Sequence, residues 1–124
     1  MLRNIPEKVV NAIEKLIKKL SEKIRIQEVY LFGSYAKGTW IKTSDIDLIV
    51  ISPDFKQMKF TERLDFINYI IWKEKISPYI EVIPLTPEEL EVKKRESILI
   101  SDASKHWIKL KINRVIGKIK TNSE

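Results

Sequence analysis

Gly33-Ser34-Tyr35-Ala36-Lys37-Gly38-Thr39 and, shortly after it, Ser44-Asp45-Ile46-Asp47-Leu48-Ile49-Val50 decide how this chain is read. The run before them, Glu28 to Phe32, is short, rich in β-branched and aromatic residues, and stops at Gly33, as a buried strand does when it ends in a tight loop. Ile46 to Ile51 repeats that signature. Asp45 and Asp47 stand two apart at the start of the second strand, so their side chains share a face with roughly 6 to 7 Å between α-carbons. Ile49 and Ile51 continue that face while Ile46, Leu48 and Val50 fill the other, which puts the two acids at the rim of an otherwise buried strand. Carboxylates that close repel unless a cation bridges them, and Mg²⁺ takes one or two carboxylates and completes its shell with phosphate oxygens. The remaining ligands would then come from a nucleotide.

Gly33 allows close approach of backbone, and the N–H groups around it, with the Ser34 hydroxyl, can face phosphate oxygens. Gly38 repeats the glycine five residues on. Taken alone, a Gly-Ser after a strand is an ordinary turn. Thr43, Ser44 and Asp45 likewise make an ordinary polar turn. It is the coupling of Gly33 and Ser34 to Ser44, Asp45 and Asp47 at fixed distance that points to a phosphate and metal site.

Outward from this centre, Val9, Ile13, Leu16, Ile17, Leu20 and Ile24 recur at three- and four-residue spacing, predicting an amphipathic helix over 5 to 24 that starts near Asn4 and Pro6. Pro53 and Asp54 break the second strand. Phe60, Leu64, Ile67, Ile70 and Ile71 then indicate a helix over about 60 to 76. Tyr79 to Pro84 reads as a third strand. Thr86 and Glu89 beyond it form a capping-box pair at the head of a helical stretch from 87 to about 104. Ile108, Leu110 and Ile112 alternate with Lys109 and Lys111 as a last strand, and little fixed structure is expected past Asn113. The order helix, strand, strand, helix, strand, helix, strand predicts an α/β (α+β) fold, a small mixed β-sheet with helices packed on it. The domain is expected over 1–112, with a basic C-terminal tail over 113–124.

The chain has 124 residues, no Cys and one His, which excludes a disulfide framework and thiolate metal sites and leaves any metal to oxygen ligands. No stretch approaches the roughly 18 apolar residues of a membrane span, so a cytoplasmic protein without a membrane partner is expected. Lys and Arg number 23 against 17 acids, a net +6, and the densest basic stretch runs through Lys105, Lys109, Lys111, Arg114, Lys118 and Lys120. Such a charge admits a nucleic-acid-binding protein as one reading and a solvated surface as another.

The motif from Gly33 to Val50 resembles the signature of the DNA polymerase beta nucleotidyltransferase superfamily, and its nearest members are the minimal nucleotidyltransferases of archaea and bacteria. Every element of that pattern is present: the Gly-Ser, the helical turn with a second Gly, and the Asp-x-Asp leading into an apolar strand. The order of elements agrees over roughly 5 to 112. The resemblance implies a third acid on a neighbouring strand, for which Glu81, within Tyr79-Ile80-Glu81-Val82-Ile83-Pro84, is the candidate. Its covered neighbours on both sides lead us to expect a buried carboxylate needing a cation. Asp45, Asp47 and Glu81 would hold two Mg²⁺ ions, while Gly33, Ser34, Lys37 and Ser44 would bind ATP or another nucleoside triphosphate.

Two positions depart from the family's habit: Tyr35 and Lys37 stand where relatives often carry Arg. Lys37 can still act as a point charge on a phosphate. Transfer of a nucleoside monophosphate to an acceptor hydroxyl is the activity implied. Stand-alone relatives are often paired with a small helical HEPN protein, which makes an antitoxin-type binding module the alternative, with homo-oligomerisation a further expectation. His106 reads as structural.

Overall fold

The computed structural model describes residues 4–113 and 118–120. Helix α1 (Glu7–Ser21) follows the predicted stripe, with Val9, Ala12, Ile13, Leu16, Ile17 and Leu20 all buried, and it ends three residues before Ile24. Burying each aliphatic side chain removes it from water at a gain of roughly 1.5–3 kcal/mol, which is what seats the helix. Strand β1 (Glu28–Phe32) ends at Gly33, and the one-turn helix α2 (Ser34–Lys37) leads to β2 (Ile46–Ile51). A 3₁₀ turn (Pro53–Gln57), helix α3 (Phe60–Lys73) and strand β3 (Ile80–Leu85) follow, then α4 (Pro87–Glu96), α5 (Ile98–Ala103) and the short strands β4 (Ile108–Lys109), β5 (Lys111–Asn113) and β6 (Lys118–Lys120).

Four strands make one mixed sheet in the order β3-β2-β1-β4. β1 runs antiparallel to β2 and β4, and β2 runs parallel to β3. Parallel pairing needs a crossover, and the segment holding α3 supplies it. Alternation sorts the strand residues between two cores. On one face Val29, Leu31, Ile46, Leu48, Val50, Ile80 and Val82 meet α1 and α3. On the other, Tyr30, Phe32, Ile49, Ile51 and Leu85 meet Leu90 of α4, Ile100 and Ala103 of α5, and Trp107. Trp107 stacks on Tyr30 with ring centroids 4.1 Å apart. The expected mixed sheet with helices packed on it is present.

Two differences from the sequence reading have plain causes. The helical stretch over 87 to 104 is two helices, because Ser97 leaves helical geometry (φ −97°, ψ 123°) and its Oγ accepts from the Ile100 N–H to cap a new start. The single last strand is divided at Leu110, whose N–H donates to Val29 O and whose side chain is buried with the α1 core. β4 stays on the main sheet, while β5 leaves it and pairs with β6. The stretch past Asn113, expected to hold little fixed structure, thus contributes a strand; the rest of the tail, 114–117 and 121–124, lies outside the described residues.

Candidate active site

Gly33 turns out of β1 with φ 76° and ψ −155°, a conformation that side chains disfavour. A Cβ there would also come against the Asp47 carboxylate, which would have to turn aside. The N–H groups of Ala36 and Lys37 donate to Gly33 O, and Gly38, at φ 82°, closes the turn with its N–H on Ser34 O. Tyr35 is buried and stacks on Trp40 at 5.5 Å, which anchors α2.

The sheet register draws a line across the strands: Phe32 is paired with Asp47, and Asp47 with Glu81. Asp47 is half-buried, and its carboxylate takes part in no hydrogen bond or ion pair among the described residues. Burial first, then the neighbouring charges of Glu81 and Asp45, push its carboxyl up to about 6. Asp45 is exposed on the loop. The Ser44 hydroxyl accepts from the Ile41 N–H at 2.8 Å and so shapes the loop that presents Asp45.

A cleft of about 350 Å³ gathers Gly33, Lys37, Asp47 and Glu81, with Phe32 and Ile83 beside them and Leu99, Asp102, Ala103 and His106 opposite. Ser34, Ser44 and Asp45 are not in its wall. Lys37 is exposed and makes no ion pair among the described residues. Glu81 is a correction to the sequence reading: it is exposed, not buried, because the face of β3 that carries it opens into the cleft at this point. Its place beside Asp47 stands, but the argument from a buried, uncompensated charge does not. His106, read as structural, lines the cleft instead; its N–H is tied to Ala103 O, and the next residue is the Trp107 that stacks on Tyr30. Nothing in the local sequence signals this, since α5 is brought over the sheet by tertiary packing.

Among the described residues no three His, Cys, Asp or Glu side chains converge as a ready metal cage. A hard divalent cation does not need one when phosphate oxygens complete its shell. The donor chemistry fits such an ion, because the Asp47 carboxylate has no partner among the described residues and is held against two other acids, a repulsion that a cation relieves. A larger cleft of about 590 Å³ lies at the far side around Arg25 and Asp54, but there the charges are already paired at 2.9 Å. No helix among the described residues is long and apolar enough to cross a membrane.

Comparison with known proteins agrees with this geometry. A family model described as a nucleotidyltransferase domain matches residues 13–106. A candidate protein adenylyltransferase of Methanocaldococcus jannaschii is 33% identical over 67 residues, covering 51% of this chain and 67% of that protein. A second from the same organism is 34% identical over 71 residues, covering 52% and 80%. The protein adenylyltransferase MntA of Shewanella oneidensis is 49% identical over 41 residues, which span 32% of this chain and 30% of MntA. The fold matches the crystal structure of a candidate nucleotidyltransferase from Sulfolobus solfataricus with a TM-score of 0.50 and 23% identity, over 86% of this chain and 89% of that one. From the Gly33 turn, the Asp47 strand and a family match running from α1 to the segment after α5, the chain belongs to the nucleotidyltransferase family, as a minimal nucleotidyltransferase.

Proposed function

We propose that the chain transfers AMP from ATP to an acceptor hydroxyl. The observation that carries this is the half-buried Asp47 carboxylate, without a hydrogen-bonding partner among the described residues and set against the Gly33 turn. Asp45, Asp47 and Glu81 would hold two Mg²⁺ ions. Held there, such ions would supply charge neutralisation for the triphosphate and acidify the acceptor hydroxyl. Gly33 and Ser34 offer backbone and hydroxyl groups to the β and γ phosphates, and Lys37 adds a cation from the cleft wall. Ser44 acts through the loop it holds, keeping Asp45 at the strand's mouth. The acceptor oxygen bonds to the α-phosphorus as the bond to the bridging oxygen of the β-phosphate breaks. Pyrophosphate leaves with that electron pair, and the hydroxyl proton passes to solvent. Positioning and charge neutralisation suffice, with no protein nucleophile. Adenylyl rather than another nucleotidyl group is favoured by the name of the MntA relative.

The test follows the label. Added to a heat-treated cell extract with Mg²⁺ and ATP, the protein is expected to cause transfer of radioactivity from α-labelled but not γ-labelled ATP above the extract alone, and Asp47→Ala is expected to stop it. Transfer of the γ label that requires the added protein would mean phosphoryl transfer and would overturn the proposal.

A second reading, a module that binds and neutralises a helical HEPN-type protein, is favoured by a surface aromatic group: Tyr69 and Trp72, 55% and 73% exposed, with rings 5.9 Å apart. Equimolar binding of such a partner, retained by the Asp45→Ala/Asp47→Ala double variant and lost on Trp72→Glu, would support it. Binding that disappears with the acids would count against it.

A further inference from the structure

His106 is the one histidine of the chain. It lines the cleft with Gly33, Lys37, Asp47 and Glu81 and is partly buried there. Buried polar side chains nearly always hold a partner, yet this imidazole takes part in no hydrogen bond or ion pair among the described residues. The backbone on either side of it is fixed. The N–H groups of His106 and Trp107 both donate to Ala103 O, and the Trp107 ring is stacked on Tyr30.

α5 and the turn after it cross the sheet in a definite order. Near the start of α5, Leu99 lines the cleft with Glu81 and Ile83 of β3, and with them also borders the neighbouring groove that reaches Leu85. At the far end, Trp107 lies on Tyr30 of β1, and Ile108 pairs with Leu31. Counted back from that pair, His106 comes level with Gly33, on the side of β1 away from β2 and β3. The cleft is thus sorted by charge across the strands: Glu81 on β3, Asp47 on β2, the Gly33 turn with Lys37 after β1, and then His106. Asp102, the acid of the far wall, comes between Leu99 and His106 in that crossing, and so falls toward the strands of the other acids.

We infer that His106 binds the β and γ phosphates of the nucleotide, its imidazole donating to them at the end of the cleft beyond Gly33. The inference rests on the triphosphate reading of that cleft. With the α-phosphorus at Asp47, the rest of the triphosphate runs to the Gly33 turn and Lys37, and the next donor along that line is His106. An imidazole offers at least one N–H whether neutral or protonated, and its bond to a phosphate oxygen is charge-assisted. α2 supplies a single cation, Lys37, because Tyr35 is turned inward onto Trp40. A donor on the opposite wall holds the phosphates from a second side. As the bond from the α-phosphorus to the bridging oxygen breaks, its electron pair passes to the pyrophosphate, and a donor already in place there stabilises the charge that develops.

With one histidine in the chain, histidine-labelled protein gives one imidazole signal, assigned without any variant. The full chain with Mg²⁺ is titrated by NMR with α,β-methylene ATP, with inorganic pyrophosphate and with AMP, following that signal beside the backbone amides of residues 33–37. The ATP analogue and pyrophosphate are expected to move both, and AMP to leave the ring signal in place. His106→Ala should weaken the analogue and pyrophosphate at least tenfold, and His106→Gln, which keeps an N–H donor, no more than threefold. Amide shifts at 33–37 with an unmoved ring, or a ring that AMP moves as far as the analogue does, overturn the assignment and leave the triphosphate reading standing. Binding by His106→Ala within twofold of the unsubstituted chain, or equal losses in the two variants, as a packing role would give, do the same. A ring that moves while 33–37 do not puts the nucleotide elsewhere and overturns both. If the nucleotide moves neither, the triphosphate reading fails and the His106 assignment falls with it.

Discussion

Gly33 and Asp47 carry the site between them, and each yields a prediction. Gly33→Ala forces a side chain into the positive-φ region and onto the Asp47 carboxylate, so a loss of about 1–3 kcal/mol is expected in urea unfolding. An unchanged midpoint would mean the turn relaxes freely. Asp47 has a folded pKa of about 6 against an ordinary 3.8, so between those values the folded chain keeps a proton that the unfolded chain releases. The stability this proton gives is present below about pH 4 and lost as the pH rises to about 6. Asp47→Asn in EDTA should therefore raise stability at pH 7.5, on the order of 1–2 kcal/mol after allowance for solvent access, and give no gain at pH 4. A gain equal at both pH values would show that charge is not the cause. The coupled spacing of Gly33-Ser34 and Ser44-Asp45-Ile46-Asp47 made both residues legible as candidates. The steric reason for Gly33 was not, because the Asp47 carboxylate reaches it only once β1 and β2 pair.

Among the elements, the start of α4 was legible: Thr86 Oγ1 accepts from the Glu89 N–H at 3.1 Å and Glu89 Oε1 accepts from the Thr86 N–H at 2.9 Å, the capping box read from their spacing, whereas the end of the helix at Glu96 was not. What the sequence hid is that Glu89 also meets Arg63 of α3 at 2.6 Å, a contact between residues far apart in the chain. Arg63 is 5% exposed and also donates to Met58 O and Pro84 O, tying α3 to the end of β3. Glu89→Ala leaves that guanidinium buried without its counter-ion and should cost about 2–4 kcal/mol. The Arg63 hydrogen bond holds the Glu89 carboxyl below its usual range, so the stabilisation is complete near neutrality and is lost as the pH falls through the lowered pKa. Thermal melts of the two proteins should converge in acid; parallel curves down to pH 2 would deny the pair that role. The divided last strand was illegible for a different reason, since an alternation of period two looks the same whichever ladder its residues join.

At the level of the whole molecule, the sheet separates two jobs. α1 and α3 build the core on one face, while the acids and α5 face the other. Leu16→Ala, at a fully buried position of α1, should cost about 2–5 kcal/mol and leave nucleotide affinity of the folded protein unchanged. A matched loss of affinity would show that the two faces are coupled. Periodicity revealed this layering well, because each helix buries one stripe. The cleft's far wall, Leu99, Asp102 and His106, stayed hidden because it depends on where a short helix docks, which no local pattern encodes.

Calorimetric titration of ATP into the protein, with Mg²⁺ and with EDTA, beside Asp47→Ala, is the most direct measurement. Saturable binding that requires Mg²⁺ and is lost in the variant, with the fold intact by circular dichroism, is the expected result. Binding that persists in EDTA or in Asp47→Ala, or no binding by the intact protein, would contradict a nucleotide site built on Gly33 and Asp47.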